Sequence, residues 1–306
     1  MIYALHHPPL NPLNPFPPVS QIIKGQHIPG ANPNKGDFLM VHESILLKQK
    51  TLEAHLKTLG SVAVAFSGGV DSTFLLHEAS KVLGDQAVAV TMKLNSVPAR
   101  EIEEAKDFCT SRGIRQVIVE RDQFAAPGFA DNPKDRCYWC KTYLFSSLGE
   151  LAKEHQIAYI IDGTNFSDTK GYRPGLKALA ELGVVSPLKE AALTKEEIRI
   201  LSEKEGLPTW NKPSFACLAT RFPYGTRITE EKLRAVEAAE QLLFDLGFPQ
   251  FRVRCHGDIA RIEVLPAQLP KLVENREAVI ASLHALGFRY VTMDLEGFRS
   301  GSMDGK

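Results

Sequence analysis

The fold of this chain is decided by one stretch, Ser67-Gly68-Gly69-Val70-Asp71-Ser72-Thr73. The apolar run 62–66 before it is typical of a buried strand, and a helical pattern begins at Thr73. A glycine-rich turn between a strand and a helix lets backbone N–H groups close on an anion, and the helix N-terminus adds about half a positive charge. Because the hydroxyls of Ser67, Ser72 and Thr73 supply further donors, the stretch predicts a phosphate-binding loop.

This loop differs from the two best-known nucleotide-binding turns. A Walker A loop needs Gly-Lys-Ser/Thr after its spacer, and a dinucleotide-binding turn needs Gly-x-Gly-x-x-Gly. The stretch resembles the PP-loop of the ATP pyrophosphatase superfamily. Those enzymes split ATP between the α and β phosphates, form an adenylate and release pyrophosphate. Mg²⁺ prefers carboxylate and phosphate oxygens, so Asp71 is a candidate Mg²⁺ partner, and capping the helix is an equally good account of it.

Composition narrows the class of protein. The 306 residues are 44% hydrophobic, which is enough for a sizeable core. Their formal net charge is zero, so the composition does not indicate general electrostatic binding of nucleic acid. No apolar run approaches the about 20 residues that span a bilayer. Five cysteines without a signal peptide favour a reducing cytosol over a disulfide framework. We therefore expect a cytoplasmic protein with no membrane partner.

The order of patterns predicts three segments. Residues 1–40 are proline-rich with little periodicity and are predicted to be disordered; Met40 opens the periodic part and is a candidate natural start. Residues 41–227 alternate helical patterns with strands, which predicts a doubly wound parallel sheet, an α/β fold of the adenine nucleotide α-hydrolase type. The predicted strands are 62–66, 87–92, 117–119, 158–162 and 184–188.

Residues 228–306 form a small α+β domain in this interpretation, with a role in substrate binding or oligomerisation. Thr229 is the predicted N-cap of a long helix, and a hairpin turns at 256–258. A helix at about 267–286 and a strand at 290–293 follow. In the first domain, ligands should bind at the carboxyl ends of the strands. Backbone at Thr91 and Met92 is therefore a candidate for holding adenine, and Gly163 permits close backbone approach.

Three cysteines form a second group of candidate functional residues. Cys137 and Cys140 make a C-x2-C pair, and Cys217 lies far along the chain. Such a pair alone fits zinc, redox or iron–sulfur chemistry. Three thiolates without an evident fourth match a 4Fe-4S cluster that leaves one iron open. Two other accounts remain open: the pair is merely buried while Cys217 acts alone, or a histidine such as His256 completes a zinc site.

Several strings resemble the LarE family over about residues 43 to 304. They are 162–168, 172–175, 186–188, 210–213, 217–225, 252–254, 260–263 and 294–302. The family performs ATP-dependent sulfur transfer in the biosynthesis of the nickel-pincer nucleotide. The resemblance implies that each carboxylate of pyridinium-3,5-biscarboxylic acid mononucleotide is adenylated and then converted to a thiocarboxylate. A symmetric homo-oligomer such as a hexamer is also implied.

The resemblance also implies roles for single residues. In one form of the family the cysteine matching Cys217 gives up its own sulfur and becomes dehydroalanine. In the other form two additional cysteines join it to hold a 4Fe-4S cluster that relays sulfur. This chain has Cys137 and Cys140, so the cluster form is expected, with ATP, Mg²⁺ and the cluster as cofactors and Cys217 as the catalytic residue.

Arginine suits a substrate with two carboxylates and a phosphate because it binds both groups bidentately. The residues expected to bind substrate are Arg173, Arg221, Arg252, Arg254 and Glu263. The two arginines of the 252–254 string alternate along one strand face and therefore point the same way. A solvated face is the other account of that pair, and Glu263 also fits a simple ion pair with an arginine.

Three other functions remain open at this point. A tRNA-thiolating PP-loop enzyme uses the same adenylation, but the neutral charge and the absence of an evident RNA-binding segment argue against it. An amidating PP-loop synthetase leaves the cysteines unexplained. A non-catalytic nucleotide-binding module predicts no release of pyrophosphate.

Overall fold

The computed structural model describes residues 33–169 and 173–303, and their side chains from residue 43 onward. Four parallel strands form the first sheet: β1 (Val62–Ala65), β2 (Ala87–Leu94), β3 (Gln116–Arg121) and β4 (Tyr159–Asp162). Their order in the sheet is β3-β2-β1-β4. Seven helices accompany them: α1 (Pro33–Leu59), α2 (Val70–Leu83), α3 (Ala99–Ser111), α4 (Arg136–Glu154), α5 (Pro174–Glu181), α6 (Pro187–Glu190) and α7 (Lys195–Lys204).

Helices cover both faces of this sheet. On one face α1, α2, α3 and α7 share a core in which Leu52, Phe74 and Ile198 are fully buried. On the other face Leu148 of α4 packs against Val88 and its neighbours. The strands carry apolar residues on both faces because both are covered, as buried parallel strands do. The predicted doubly wound α/β fold is confirmed.

The remainder forms a second sheet. Helix α8 (Glu230–Asp245) begins at Thr229, whose hydroxyl accepts a hydrogen bond from the N–H of Lys232 at 3.3 Å, so the predicted cap is confirmed. After it come β5 (Phe251–His256), β6 (Ile259–Val264), α9 (Leu269–Glu274), α10 (Arg276–Ala285) and β7 (Tyr290–Met293). β6 pairs antiparallel with β5 and parallel with β7.

The core under this second sheet reaches back along the chain. It contains Phe129, Leu218 and Phe222 together with residues of α8 and β5. The predicted boundary at residue 227 therefore lies between the two sheets, but residues on both sides of it pack in the same core. Leu218 and Phe222 thus fix the segment after Cys217 to the second core, and the Leu218 N–H donates to the Ser96 carbonyl, just beyond the end of β2, at 2.9 Å.

Three sequence predictions differ from the structure. The predicted strand 184–188 is reduced to one bridge between Val185 and Ile161, because Pro187 begins helix α6. The helix expected at 267–286 is broken at Asn275, which ends α9 and precedes α10. Residues 33–40, predicted to be disordered, lie in α1, whereas residues 1–32 fall outside the described residues.

Within 33–169 and 173–303, none of the helices has the length and apolar character that crossing a bilayer requires.

Candidate active site at the carboxyl edge of the parallel sheet

The predicted phosphate-binding loop lies between β1 and α2. The N–H of Phe66 still bonds to the Val90 carbonyl at 2.9 Å, and the chain then turns at Gly68, whose φ of +69° favours glycine. Gly69 is the N-cap of α2. The Ser72 hydroxyl lies 3.1 Å from the Ser67 hydroxyl and donates to the Gly69 carbonyl at 3.1 Å. The loop is therefore held in shape by its own two serines.

Asp71 lies in the first turn of α2 and not at its cap. Its carboxylate forms an ion pair with Lys195 and accepts a hydrogen bond from Asn165 Nδ2 at 3.2 Å. Burial raises the pKa of Asp71 above its ordinary value, and the pairing with Lys195 opposes that rise. A lysine thus occupies the place predicted for Mg²⁺, and the Mg²⁺ role of Asp71 stays a prediction.

A second lysine contacts the loop. Lys212 Nζ donates to the Gly68 carbonyl at 3.1 Å and pairs with Glu101 and Glu104 at 2.6 Å each. It lines a cavity of about 620 Å³ that runs along α3 behind the loop. Two ammonium groups therefore lie against the loop predicted to hold phosphate.

The two other predicted nucleotide contacts lie beside the loop. Thr91 follows directly after the last residue of β2 that pairs with β1, and its buried hydroxyl accepts from Gln116 Nε2 at 2.8 Å. Met92 is next along β2. A Cβ on Gly163 would lie 2.9 Å from the Ser72 nitrogen, so this glycine lets the end of β4 pack on α2. The backbone that approaches Gly163 closely is therefore that of α2, and the contact of Gly163 with the nucleotide stays a prediction.

Two of the three predicted cysteines contact buried polar residues. Cys137 and Cys140 begin α4, and Cys217 precedes a short 3-10 helix at 218–221. Ser96 Oγ lies 2.8 Å from Cys217 Sγ, and Gln123 Nε2 donates to Cys140 Sγ at 3.3 Å.

The environment of the cysteine pair disfavours free thiolates. Partial burial, and next the charge of Cys217, raise the pKa of Cys140 to about 11. Cys137 is exposed as a residue, but desolvation by the surrounding protein raises its pKa, against the nearby Arg136, and Cys217 adds to the rise. No three His, Cys, Asp or Glu side chains of the described residues are grouped closely enough to hold a single metal ion.

An asparagine and an arginine bind the cysteine segments together. Asn132 is fully buried with a positive φ of 53°, and its Nδ2 donates to the Pro223 carbonyl at 2.7 Å. Arg136 donates to Asn132 and, at 3.1 Å, to the Ala219 carbonyl. A left-handed backbone at a buried non-glycine residue persists only where its surroundings enforce it. The start of α4 and the segment after Cys217 are therefore joined as one unit.

Arg221 is inside the protein. Its side chain is 1% exposed, and its Nε and Nη2 bind the Glu240 carboxylate at 2.7 and 2.9 Å. Its Nη1 donates to the carbonyls of Ala216 at 2.9 Å and Cys217 at 3.3 Å. This geometry makes Arg221 a support for the Cys217 segment, and its predicted contact with substrate stays a prediction.

The paired arginines of β5 share one face, as their alternation predicts. Arg254 binds Glu263 through Nε and Nη2 at 3.0 and 2.8 Å, so the expected ion pair of Glu263 is present. Arg252 donates to two backbone carbonyls, those of Phe251 and Ser214. Burial, and next the neighbouring Arg221, lower the pKa of Arg252 to about 9. The solvated-face account is wrong, because both arginines are buried.

Arg173 and Trp139 are exposed to solvent, unlike the two arginines of β5. Arg173 is exposed and pairs with Asp168 at 3.1 Å, beside the loop that carries Asn165. Trp139 is 41% exposed and donates from Nε1 to Asp135 at 3.0 Å, so it is not a core residue.

All these groups surround the same edge of the sheet. The phosphate loop follows β1, Ser96 follows β2, Gln123 follows β3 and Asn165 follows β4. Sequence reasoning missed Ser96, Gln123, Asn132, Lys195 and Lys212. Polar residues directly after predicted parallel strands are a signal that would have found the first two, since ligands bind at this edge.

A doubly wound parallel sheet with this strand–loop–helix at its carboxyl edge defines a nucleotide-binding enzyme of the PP-loop class. No family model matches the chain. It is 40% identical over 262 residues to the pyridinium-3,5-bisthiocarboxylic acid mononucleotide synthase of Lactiplantibacillus plantarum, covering 85% of this chain and 95% of that protein. The chain therefore belongs to the LarE family of PP-loop sulfur transferases.

Two other relatives are similar to large parts of the chain. An uncharacterised protein of Synechocystis is 41% identical over 259 residues, which cover 84% of this chain and 97% of that protein. A subunit of the glutamine-hydrolysing GMP synthase of Sulfurisphaera tokodaii is 29% identical over 214 residues, which cover 63% of this chain and 57% of that protein.

Proposed function

We propose that this enzyme uses ATP to adenylate the carboxylates of pyridinium-3,5-biscarboxylic acid mononucleotide and converts them to thiocarboxylates for the nickel-pincer nucleotide. The observation that carries the proposal is the meeting of a PP-loop and three cysteines at one edge of the parallel sheet, in a chain similar to the Lactiplantibacillus synthase. The first group activates an oxygen, and the second delivers sulfur.

Adenylation makes the carboxylate reactive. A carboxylate oxygen attacks the α-phosphorus of ATP, the bond to the bridging oxygen breaks, and pyrophosphate leaves with that electron pair. The serines and backbone N–H groups of 67–73 bind the leaving group, and the ammonium group of Lys195 offsets its charge. The ion pair with Asp71 holds Lys195 beside the loop, so its positive charge is in place before phosphate binds.

Sulfur transfer then takes place beside Cys217. A sulfur nucleophile attacks the carbonyl carbon of the adenylate, and AMP leaves. Cys137 and Cys140 lie three positions apart at the start of α4, and hydrogen bonds through Gln123 and Ser96 link Cys140 to Cys217, so three soft sulfur ligands are available to an iron–sulfur cluster. When bound, a 4Fe-4S cluster would supply an iron with an open position for a sulfur atom.

Arg252 is the strongest candidate for binding the substrate phosphate. Its buried guanidinium donates to carbonyls, and no carboxylate within the described residues pairs with it within 4 Å. Burial, and next the neighbouring Arg221, lower its pKa, so the surrounding protein disfavours its positive charge. A phosphate would supply the missing negative charge and accept bidentate hydrogen bonds.

The decisive experiment separates the two half-reactions. Anaerobic enzyme receives MgATP and the biscarboxylate mononucleotide, and pyrophosphate and thiocarboxylate are measured together. Cys217→Ala should release pyrophosphate and form no thiocarboxylate, whereas Cys109→Ala, at a core cysteine, should do both. Thiocarboxylate from Cys217→Ala, or no substrate-dependent pyrophosphate from the wild type, would contradict the proposal.

The same preparations test the cluster. Wild-type protein should hold iron and sulfide, and Cys137→Ala or Cys140→Ala should lose them. Iron-free protein that transfers sulfur while Cys217 loses the mass of one hydrogen sulfide molecule would instead establish sacrificial transfer, and thionucleosides formed on tRNA would establish the tRNA-thiolating alternative.

A further inference from the structure

We infer that Ser96 and Gln123 are positioning residues that hold the sulfur atoms of Cys217 and Cys140 in a fixed relation to each other. The inference rests on the proposed function, because it takes these sulfurs as the ones that hold the cluster and deliver sulfur. Neither residue belongs to a motif, and both are buried, with exposures of 0% and 1%.

An unbroken line of hydrogen bonds joins the two sulfurs. Cys217 Sγ lies 2.8 Å from Ser96 Oγ, which lies 2.6 Å from Gln123 Oε1. Across the same amide, Gln123 Nε2 donates to Cys140 Sγ at 3.3 Å. Two cysteines separated by 77 positions (217 minus 140) are thus connected through two side chains.

Proton counting fixes the orientation of the Gln123 amide. The Ser96 backbone N–H also donates to Gln123 Oε1, at 2.9 Å, so this amide atom must be the oxygen and the other atom the NH2 donor. While Cys217 is a thiol it donates to Ser96 Oγ, and the single hydroxyl proton of Ser96 goes to Oε1; when Cys217 is a thiolate, Ser96 donates to its sulfur instead, and Oε1 keeps the bond from the Ser96 N–H. Every polar atom of the pair has a partner, as a buried network requires.

Backbone contacts hold the bridge independently of its side chains. The Leu218 N–H donates to the Ser96 carbonyl at 2.9 Å, and the Gln123 N–H donates to Asn95 Oδ1 at 2.8 Å. Side-chain substitutions at Ser96 or Gln123 leave both contacts in place. Their effects can therefore be separated from general unfolding of the segment.

The test is iron retention by anaerobic protein reconstituted with iron and sulfide, measured as the rate of iron loss to excess chelator. Ser96→Ala and Gln123→Leu should lose iron about 10- to 100-fold faster, the range typical for partners that orient metal ligands. Gln123→Glu keeps the oxygen that Ser96 binds and removes the donor to Cys140, so it should lie between these variants and the wild type. The matched control is Ser202→Ala, a fully buried serine on α7 whose hydroxyl has no partner among the described residues.

A second readout separates positioning from stability. Ser96→Ala and Gln123→Leu should keep the wild-type rate of substrate-dependent pyrophosphate release and the wild-type KM for ATP, while thiocarboxylate formation falls. Iron loss and sulfur delivery equal to those of Ser202→Ala would overturn the inference, as would wild-type protein that binds no cluster. In either case pyrophosphate release by the wild type still tests the ATP-dependent reaction separately.

Discussion

Replacing Glu240 with glutamine takes the negative charge away from an ion pair that is closed to solvent. The side chains of Arg221 and Glu240 are 1% and 2% exposed. The carboxylate accepts from Arg221 Nε at 2.7 Å, from Nη2 at 2.9 Å and from the Val253 N–H at 3.0 Å. In Glu240→Gln the Arg221 charge stays buried without its counter-ion, and one amide NH2 faces the guanidinium.

The expected loss in free energy of unfolding is large. Removing one partner of a buried pair destabilises a protein by about 3–5 kcal/mol. The chain offers a matched control on the same helix, the pair Glu230–Arg234, whose side chains are 54% and 74% exposed. Glu230→Gln should cost only about 0.3–0.5 kcal/mol, as exposed pairs four residues apart do. The two substitutions are chemically identical and should differ roughly tenfold in effect.

The assay is urea unfolding followed by circular dichroism, with the m-value compared between variants before free energies are compared. Similar free energies of unfolding for Glu240→Gln and Glu230→Gln would refute the reasoning. Because Arg221 also binds the carbonyls of Ala216 and Cys217, Glu240→Gln should lower thiocarboxylate formation more than pyrophosphate release.

Three further predictions concern the loop and the helices behind it. Gly163→Ala places a Cβ 2.9 Å from the Ser72 nitrogen, so we expect a loss of about 1–3 kcal/mol in urea unfolding and a higher KM for ATP; wild-type values for both would contradict the close contact. Lys195→Met removes the cation that opposes the burial-raised pKa of Asp71, so the pH profile of pyrophosphate release should shift to higher pH, and an unmoved profile would exclude Asp71 ionisation from the reaction. Burial raises the pKa of Glu78 above its ordinary value of 4.5, so the stabilisation from its protonated form is complete below that pH and is lost as the pH rises through the higher folded-state pKa. Glu78→Gln should flatten this fall in the free energy of unfolding above pH 4.5, measured by urea unfolding, and a curve parallel to that of the wild type would count against it.

Much of the fold could be predicted because its signals are local. The four parallel strands are apolar runs followed by helical patterns, and α8 is preceded by a capping threonine. The predicted strand at 184–188 was wrong because Val184 and Val185 are as apolar as a strand requires, whereas Pro187 starts a helix. The break at Asn275 was missed because apolar spacing continues on both sides of it.

The site was only partly visible in the sequence for a different reason. The phosphate loop and the cysteines are motifs of neighbouring residues, so spacing alone revealed them. Ser96 contacts Gln123 only because β2 and β3 lie side by side, and it contacts Cys217 only because the chain at Leu218 returns to the Ser96 carbonyl beyond the end of β2. Arg221 was expected to bind substrate because it lies in a string that resembles the LarE family, and that role stays a prediction; its ion pair with the buried Glu240 could not be read from the sequence.

The anchored segment 212–221 limits how this protein can be recombined with its relatives. Lys212, at its start, binds the phosphate loop. In its middle, Ser214 binds Arg252 of β5, and Cys217 and Leu218 contact Ser96 in the cysteine site. Arg221, at its end, binds Glu240 of α8. A chimera that joins the first sheet of one family member to the second sheet of another would divide this set of contacts at any junction inside the segment. Functional hybrids should therefore inherit the segment from the same parent as α3, the Ser96 loop, α8 and β5, which leaves few natural crossover points between the two halves of the chain.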